Sequence, residues 1–284
     1  MTVFSIACIQ TDYGLGDNVE AMTRDLGKVM RRYPWVEMVM FPELAAFGPN
    51  SDNAQVMPGS AEAHFCALAA KYAIWLLPGS MYELSGKDIY NTASVINPQG
   101  EVVGRYRKMY PFAPYEQGIS SGQEFLVFDV PDVGRFGVSI CYDMWFPETT
   151  RALAWLGAEV ILHPTLTNTI DRDSELAIAR ASAITNQCYF LDVNCGGDLG
   201  YGKSILLGPE GDILHQSDRA GEFMPVDLDL ERVRRVRKKG HLNLGQLLKS
   251  FRDGEIDYPQ YRRGARSPVL DNLGPLALTC REGR

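Results

Sequence analysis

The stretch Arg135 to Glu148, RFGVSICYDMWFPE, restricts the fold more than any other part of the chain. Phe136 to Ile140 reads as a buried strand running straight into Cys141, and a helix opens near Pro147. Proline suits a first helical turn because the N–H it lacks would have no partner there. The helix continues as ETTRALAWL and stops at Gly157, where glycine accommodates a left-handed cap. Another apolar run, Val160 to Leu162, follows directly. Strand, elbow, helix and strand in this order belong to a layered α/β protein. The elbow would hold the sulfur close to backbone N–H groups, surroundings that lower a thiol pKa and favour the nucleophilic thiolate. The plainer alternative for Cys141 is a small buried hydrophobe, the usual fate of a free cysteine.

The remaining apolar runs extend the same pattern. Val3 to Gln10 is a first strand, and Asn18 to Tyr33 a helix with Val19, Met22, Leu26, Val29 and Met30 on one face. Val36 to Phe41 is a strand that delivers Pro42-Glu43 at its C-terminal end, where ligands gather in open α/β sheets. A helix from Ser60 to Tyr72 leads to a strand from Ile74 to Pro78. Tyr90 to Asn97 and Glu101 to Tyr106 pair as a hairpin about Asn97-Pro98-Gln99-Gly100. Residues 107–124 are loop-like, and Phe125 to Val130 is a strand. Beyond the cysteine elbow come a loop, HPTLTNTIDRDSE, a helix from Ser174 to Asn186, a strand from Cys188 to Asn194, and a hairpin of Ser204 to Leu207 with Ile213 to Gln216. Hairpins interrupting the βαβ units favour two sheets over one.

Composition excludes several classes of function. A chain of 284 residues with 45% hydrophobic and 22% charged residues suits one large soluble α/β unit. A net charge of −7 argues against a general nucleic-acid or anionic-membrane partner. No apolar run approaches membrane-spanning length. MTVFSIACIQTD has no basic stretch before its apolar residues and reads as a strand, not a signal peptide. Six irregularly spaced cysteines do not make a disulfide framework, which points to the reducing cytoplasm.

Three pieces complement one another chemically. Glu43 in MFPELAAFG sits at a strand end, Lys108 in GRYRKMYPF follows a strand, and Cys141 sits at its elbow. A thiol attacking a carbon–nitrogen substrate needs a base for its proton and a cation or N–H for the developing negative charge. FPE, RKMYPF and CYDMWFPE, in this order and at these spacings, resemble the nitrilase superfamily of carbon–nitrogen hydrolases. Taken alone, Glu43 would read as a cap or ion pair and Lys108 as a solvated charge.

The resemblance covers roughly Val3 to Asp229 and implies roles as well as a fold. Glu43 would be the general base, Lys108 the stabiliser of the tetrahedral intermediate, and Cys141 the nucleophile of a thioester or thioimidate intermediate. Glu116 in PYEQG would orient Lys108 and the substrate, and the Tyr142 N–H would complete the oxyanion hole. Trp145 and His163 are further candidates for the substrate pocket. The implied fold is an α-β-β-α sandwich that associates across a helical face into a homodimer or larger homo-oligomer. Residues 1–239 would form the hydrolase domain and 240–284 a basic, aromatic tail packing on a neighbouring subunit. No cofactor or metal is implied; the partners are a small amide and water.

Several features compete with this assignment. GDLGYGKS, Gly197 to Ser204, matches a phosphate-binding loop, but the following ILLGPEGDILH reads as a hairpin where that loop requires a helix. A cysteine–histidine pair would need His64, His163, His215 or His241 near Cys141; a pocket or hydrogen-bonding role is expected for His163. Cys188 and Cys195 lack zinc-ligand spacing. ERVRRVRKKG reads as a solvated helix face or a subunit contact.

The expected activity is an amidase that releases ammonia. The alternatives are an N-carbamoyl amide hydrolase, a nitrilase, or a catalytically idle assembly subunit. ω-Amidase-like and carbamoylase relatives often carry a basic residue just after the nucleophile to bind a substrate carboxylate, where this chain has Trp145. Arg172 and Arg180 are the candidate replacements. An unpaired carboxylate in a dry pocket is costly, so a neutral or apolar amide is favoured.

Overall fold

The computed structural model describes residues 3–276. Strands β1 (Val3–Gln10), β2 (Met38–Met40), β3 (Gln55–Val56), β4 (Trp75–Leu77), β5 (Met81–Ser85), β6 (Asp88–Ile96) and β7 (Val102–Arg107) build a first sheet. Strands β8 (Leu126–Val130), β9 (Gly134–Val138), β10 (Val160–Thr165), β11 (Tyr189–Asn194), β12 (Ile205–Leu207) and β13 (Ile213–Gln216) build a second, in the order β13-β12-β11-β10-β9-β8. β14 (Glu222–Asp229) returns to the first sheet, giving β14-β1-β2-β4-β6-β5-β3 with β7 paired to β6. Each sheet is parallel at its heart, through β1, β2 and β4 in one and β9, β10 and β11 in the other.

Strands buried on both faces read as continuous apolar runs, and alternate side chains serve different cores. Ile6, Cys8, Met38 and Met40 point inward to meet Phe136, Val138, Leu162 and Leu191 of the other sheet. Ile9 and Val39 point outward to Met22 and Leu26 of α1 (Val19–Arg32) and Phe65 of α2 (Ser60–Tyr72). Ile161 and Phe190 point outward to Leu153 of α3 (Pro147–Trp155) and Ala179 of α4 (Arg172–Asn186). The result is the expected α-β-β-α sandwich. The single-turn helix α5 (Gly197–Gly200) and α6 (Leu230–Lys239) complete the packed body.

Some elements differ from the sequence expectation. β14 pairs antiparallel with the whole of β1, from Val3 opposite Asp229 to Gln10 opposite Glu222. Its sequence EFMPVDLD hides it, because Pro225 is tolerated only at a sheet edge and the exposed face is acidic. β10 runs on to Thr165 and α4 starts at Arg172, which shortens the expected loop between them. From Gly240 the chain forms short pieces, including α7 (Leu247–Asp253) and α8 (Pro268–Asp271). Phe251 of α7 packs edge-on against Trp155 of its own chain at 5.8 Å. The end of the tail, residues 277–284 with Cys280, lies outside the described residues.

Candidate active site

The C-terminal ends of the parallel strands converge where the two sheets touch. The Glu43 N–H donates to the Thr165 carbonyl at 3.3 Å, joining the turn after β2 to the end of β10. Lys108 follows β7, with its N–H donating to the Asn91 carbonyl of β6 at 2.8 Å. Its Nζ reaches Glu43 Oε1 at 2.8 Å and Glu116 Oε2 at 2.7 Å. Asn91 Nδ2 donates to Glu43 Oε1 and Glu116 Oε1, each at 2.8 Å. The Phe112 N–H donates to Glu116 Oε2 at 2.6 Å, so the loop holds its own carboxylate in place.

Cys141 adopts a left-handed backbone with φ of 47°, a strained conformation for a residue bearing a side chain. Asp143 supports it. Its Oδ2 accepts from the Ile140 N–H at 2.9 Å and the Tyr106 hydroxyl at 2.7 Å, and its Oδ1 accepts from the Tyr110 N–H at 2.9 Å. This carboxylate therefore ties the elbow to the strand and loop on either side of Lys108. Burial raises Asp143 to about 6, opposed by the Tyr106 hydrogen bond.

A cavity of about 290 Å³ opens onto Glu43, Lys108, Glu116 and Cys141 together. Its walls are largely apolar, from Leu44, Pro49, Tyr82, Phe112, Leu166 and Leu199. Burial and the Glu43 carboxylate push the Cys141 thiol well above its ordinary range, opposed in part by Lys108. The expectation of an elbow that lowers the thiol pKa is thus overturned. The amides beside Cys141 belong to a five-residue 3-10 turn, Cys141–Trp145, too short to carry a helix dipole, and α3 opens only at Pro147. Glu43 is raised by burial while Lys108 draws it down. Burial would lower Lys108, but Glu43, Cys141 and Glu116 together hold it well above its usual value. These shifts favour the protonated thiol of Cys141 beside the Glu43 and Lys108 side chains.

The carbon–nitrogen hydrolase family model matches residues 7–238. The chain belongs to the carbon–nitrogen hydrolase family. It is similar to the formamidase of Helicobacter acinonychis, 28% identical over 260 residues, covering 85% of this chain and 78% of that protein. It is likewise similar to the 2-oxoglutaramate amidase of Bacillus subtilis, 27% identical over 247 residues, covering 83% and 94%. The crystal structure of Saccharomyces cerevisiae Nit3, described as a member of branch 10 of the nitrilase superfamily, superposes with a TM-score of 0.76 at 27% identity, covering 84% and 94%.

In this carbon–nitrogen hydrolase the four residues expected to act together do line one cavity. Tyr142 lines a narrow extension of it beside Cys141. Trp145 and His163 line neither space. Trp145 packs against the outer cluster that contains Leu153 and Phe190, and its Nε1 donates to Glu175 Oε1 at 3.4 Å. His163 is fully buried, with Nδ1 2.7 Å from the Ser139 hydroxyl, and burial lowers it to about 4. Asn91, Asp143, Thr167 and Glu175 escaped notice in the sequence. Asn91 carried a signal, as a strand-depleted residue inside β6.

The competing features have structural explanations. GDLGYGKS forms the single turn α5 and then enters β12, with Lys203 bound to Asp173 at 2.7 Å and the Ser204 hydroxyl to Gln10 Oε1 at 2.8 Å. The basic run forms α6, where Arg232 pairs with Asp212 at 2.6 Å, Arg234 with Glu159 at 2.9 Å and Arg235 with Asp229 at 2.9 Å. Among the described residues no group of three or more His, Cys, Asp or Glu side chains is arranged to hold a metal ion. Among them, no helix is long and apolar enough to cross a membrane.

Proposed function

We propose that this carbon–nitrogen hydrolase cleaves a small neutral amide, releasing ammonia through a thioester on Cys141. One observation carries the proposal: Glu43, Lys108, Glu116 and Cys141 meet at one largely apolar cavity whose lining cation, Lys108, is already paired with two carboxylates. Glu43 takes the thiol proton as sulfur bonds to the carbonyl carbon. The oxyanion is met by the Lys108 ammonium and the Tyr142 N–H. As the intermediate collapses, Glu43 passes its proton to the departing nitrogen, and ammonia leaves. Glu43 then takes a proton from water, hydroxide attacks the thioester, and the carboxylic acid is released with the thiol restored. Glu116 holds Lys108 in place throughout.

The cavity walls favour a neutral substrate over the dicarboxylate amide named for the 2-oxoglutaramate relative. Arg172 is committed to Glu175 at 3.0 Å and Asp192 at 2.8 Å, and Arg180 Nε donates to the Gly211 carbonyl at 2.8 Å. Neither lines the cavity. A substrate carboxylate would lie there without a free cation.

The test is ammonia release from neutral amides, ω-amides of dicarboxylates, N-carbamoyl amino acids and nitriles. Turnover should concentrate in the neutral amides and disappear in Cys141→Ala, and Glu43→Gln should lose about 10²- to 10⁴-fold. Wild-type turnover in either variant overturns the mechanism, and a preference for carboxylate-bearing amides overturns the substrate class. We further propose a cytoplasmic setting and self-association through the tail. Free cysteines at 8, 66, 141, 188 and 195 support the first, and exposed Leu244, Ile256, Val269 and Leu273 support the second.

A further inference from the structure

Cys141 has a second polar neighbour that the proposed mechanism does not use. Its Sγ lies 3.7 Å from Thr167 Oγ1, and the Thr167 hydroxyl donates to Glu175 Oε1 at 3.1 Å. Asn194 fixes the Thr167 backbone from both sides, accepting from its N–H at 2.9 Å and donating to its carbonyl at 3.0 Å. Glu175 is held in turn by Arg172 Nη1 at 3.0 Å and by Trp145 Nε1, on the elbow turn itself, at 3.4 Å. Arg172 continues to Asp192 at 2.8 Å and to the Lys203 carbonyl at 2.8 Å. Thr167, Arg172, Glu175 and Asp192 are all buried. Apolar packing generally stabilises an interior as well as such charges do, so their placement one hydroxyl away from a nucleophile calls for another reason.

We propose that Glu175, acting through the Thr167 hydroxyl, positions the Cys141 sulfur for attack. With its proton committed to Glu175, Thr167 turns an oxygen lone pair toward the sulfur. That oxygen accepts the thiol S–H and selects one side-chain rotamer. It offers the sulfur no proton that would stabilise a thiolate and blunt it as a nucleophile. During attack the S–H proton passes to the Glu43 carboxylate, the freed electron pair forms the S–C bond, and Thr167 keeps its proton on the Glu175 side. Arg172 and Trp145 donate to Glu175 and keep it aimed at Thr167. The role rests on Cys141 being the nucleophile.

The experiment compares Thr167→Val, Thr167→Ser, Glu175→Leu, Glu175→Gln and the double variant Thr167→Val/Glu175→Leu. Each is assayed with the neutral amide that the wild type turns over fastest, and for alkylation of Cys141 by iodoacetamide. Circular dichroism checks each fold. Thr167→Val and Glu175→Leu should each lower kcat by roughly 10- to 100-fold, with KM within about twofold of wild type. Thr167→Ser and Glu175→Gln, which retain a hydroxyl and an acceptor, should recover most of the loss. The double variant should be no worse than the poorer single one, because both changes break one path. Wild-type kcat in Thr167→Val, losses that multiply in the double variant, or losses confined to KM overturn the role. If Glu175→Leu fails to fold, the Val and Ser variants at 167 decide alone. Turnover surviving in Cys141→Ala would instead overturn the nucleophile itself. A dead Cys141→Ala beside a fully active Thr167→Val removes only the role of Glu175.

Discussion

Lys108 has 1% of its side chain exposed, and its ammonium stands between two carboxylates that are themselves buried. Removing that ammonium touches more than its proposed catalytic part. Lys108→Met should abolish turnover and also destabilise the fold by about 3–5 kcal/mol, since it leaves buried charges unmatched. Adding Glu43→Gln should restore much of the urea midpoint without restoring activity. A Lys108→Met protein as stable as wild type would contradict this account. His163 offers a test at the same scale that is independent of catalysis. Burial holds it at about 4 in the folded chain, below the 6.5 of an unconstrained imidazole. Between those values the unfolded chain binds the proton that the folded chain refuses, so stability falls as pH drops below the unfolded value. The loss attributable to His163 should be roughly 2 kcal/mol between about pH 7.5 and about pH 5. Asp143 and Glu175, raised to about 6 and about 7, push the other way, so the comparison must be made against His163→Gln. Urea midpoints of the two proteins should converge toward acid pH; parallel curves would refute the assignment.

At the scale of elements, the site depends on how closely the turn after β4 approaches the turn after β2. Gly79 has φ of +73°, and a Cβ there would sit 1.8 Å from the Pro42 carbonyl oxygen, one residue before Glu43. Gly79→Ala should destabilise by about 1–3 kcal/mol for the backbone strain alone. Displacing the Glu43 turn should cut turnover by as much as about 100-fold. Gly86 is the control, with φ of +63° and nothing within 4 Å of an added Cβ. Gly86→Ala should lose stability but keep its kcat, and equal losses of activity in both would remove the Gly79 contact as the cause. α6 shows how partners change the meaning of an element. Its basic surface reads as solvated in sequence, yet Arg237, largely buried, donates to the carbonyls of Ala158 at 2.5 Å and Gln187 at 3.1 Å. Those carbonyls lie in the turns that enter β10 and β11, so the helix fastens the second sheet.

For the whole molecule, the sandwich brings Glu43 and Asn91 of one sheet against Cys141 and Thr167 of the other. The tail beyond Gly240 stands apart from that core. Deleting residues 246–284 removes the Phe251 contact with Trp155 and should lower stability by about 0.5–1.5 kcal/mol. The far-UV spectrum should be retained, and sedimentation should show a smaller species than the full chain; identical sedimentation would remove the tail from self-association. The motifs around Glu43, Lys108, Glu116 and Cys141 were legible in the sequence because each is local, a strand end or elbow followed by a defined turn. The helix α1 was legible from its periodicity and the central strands from their apolar runs. β14 was not, since Pro225 and the acidic outer face mask the short alternation of Met224, Val226 and Leu228. Trp145 and His163 could not be placed, because an aromatic ring beside a nucleophile packs outward or inward according to its neighbours across the sheet. The protonation of Cys141 was likewise beyond the sequence: the elbow suggested a lowered pKa, but burial and Glu43 come from distant segments. Sequence by itself determined the layered fold and pointed to the side chains that line the cavity, because both show in local stretches of the chain. Tertiary structure alone decided their charge states, their partners Asn91, Asp143, Thr167 and Glu175, and the walls of the cavity, because desolvation and hydrogen bonding depend on which segments meet.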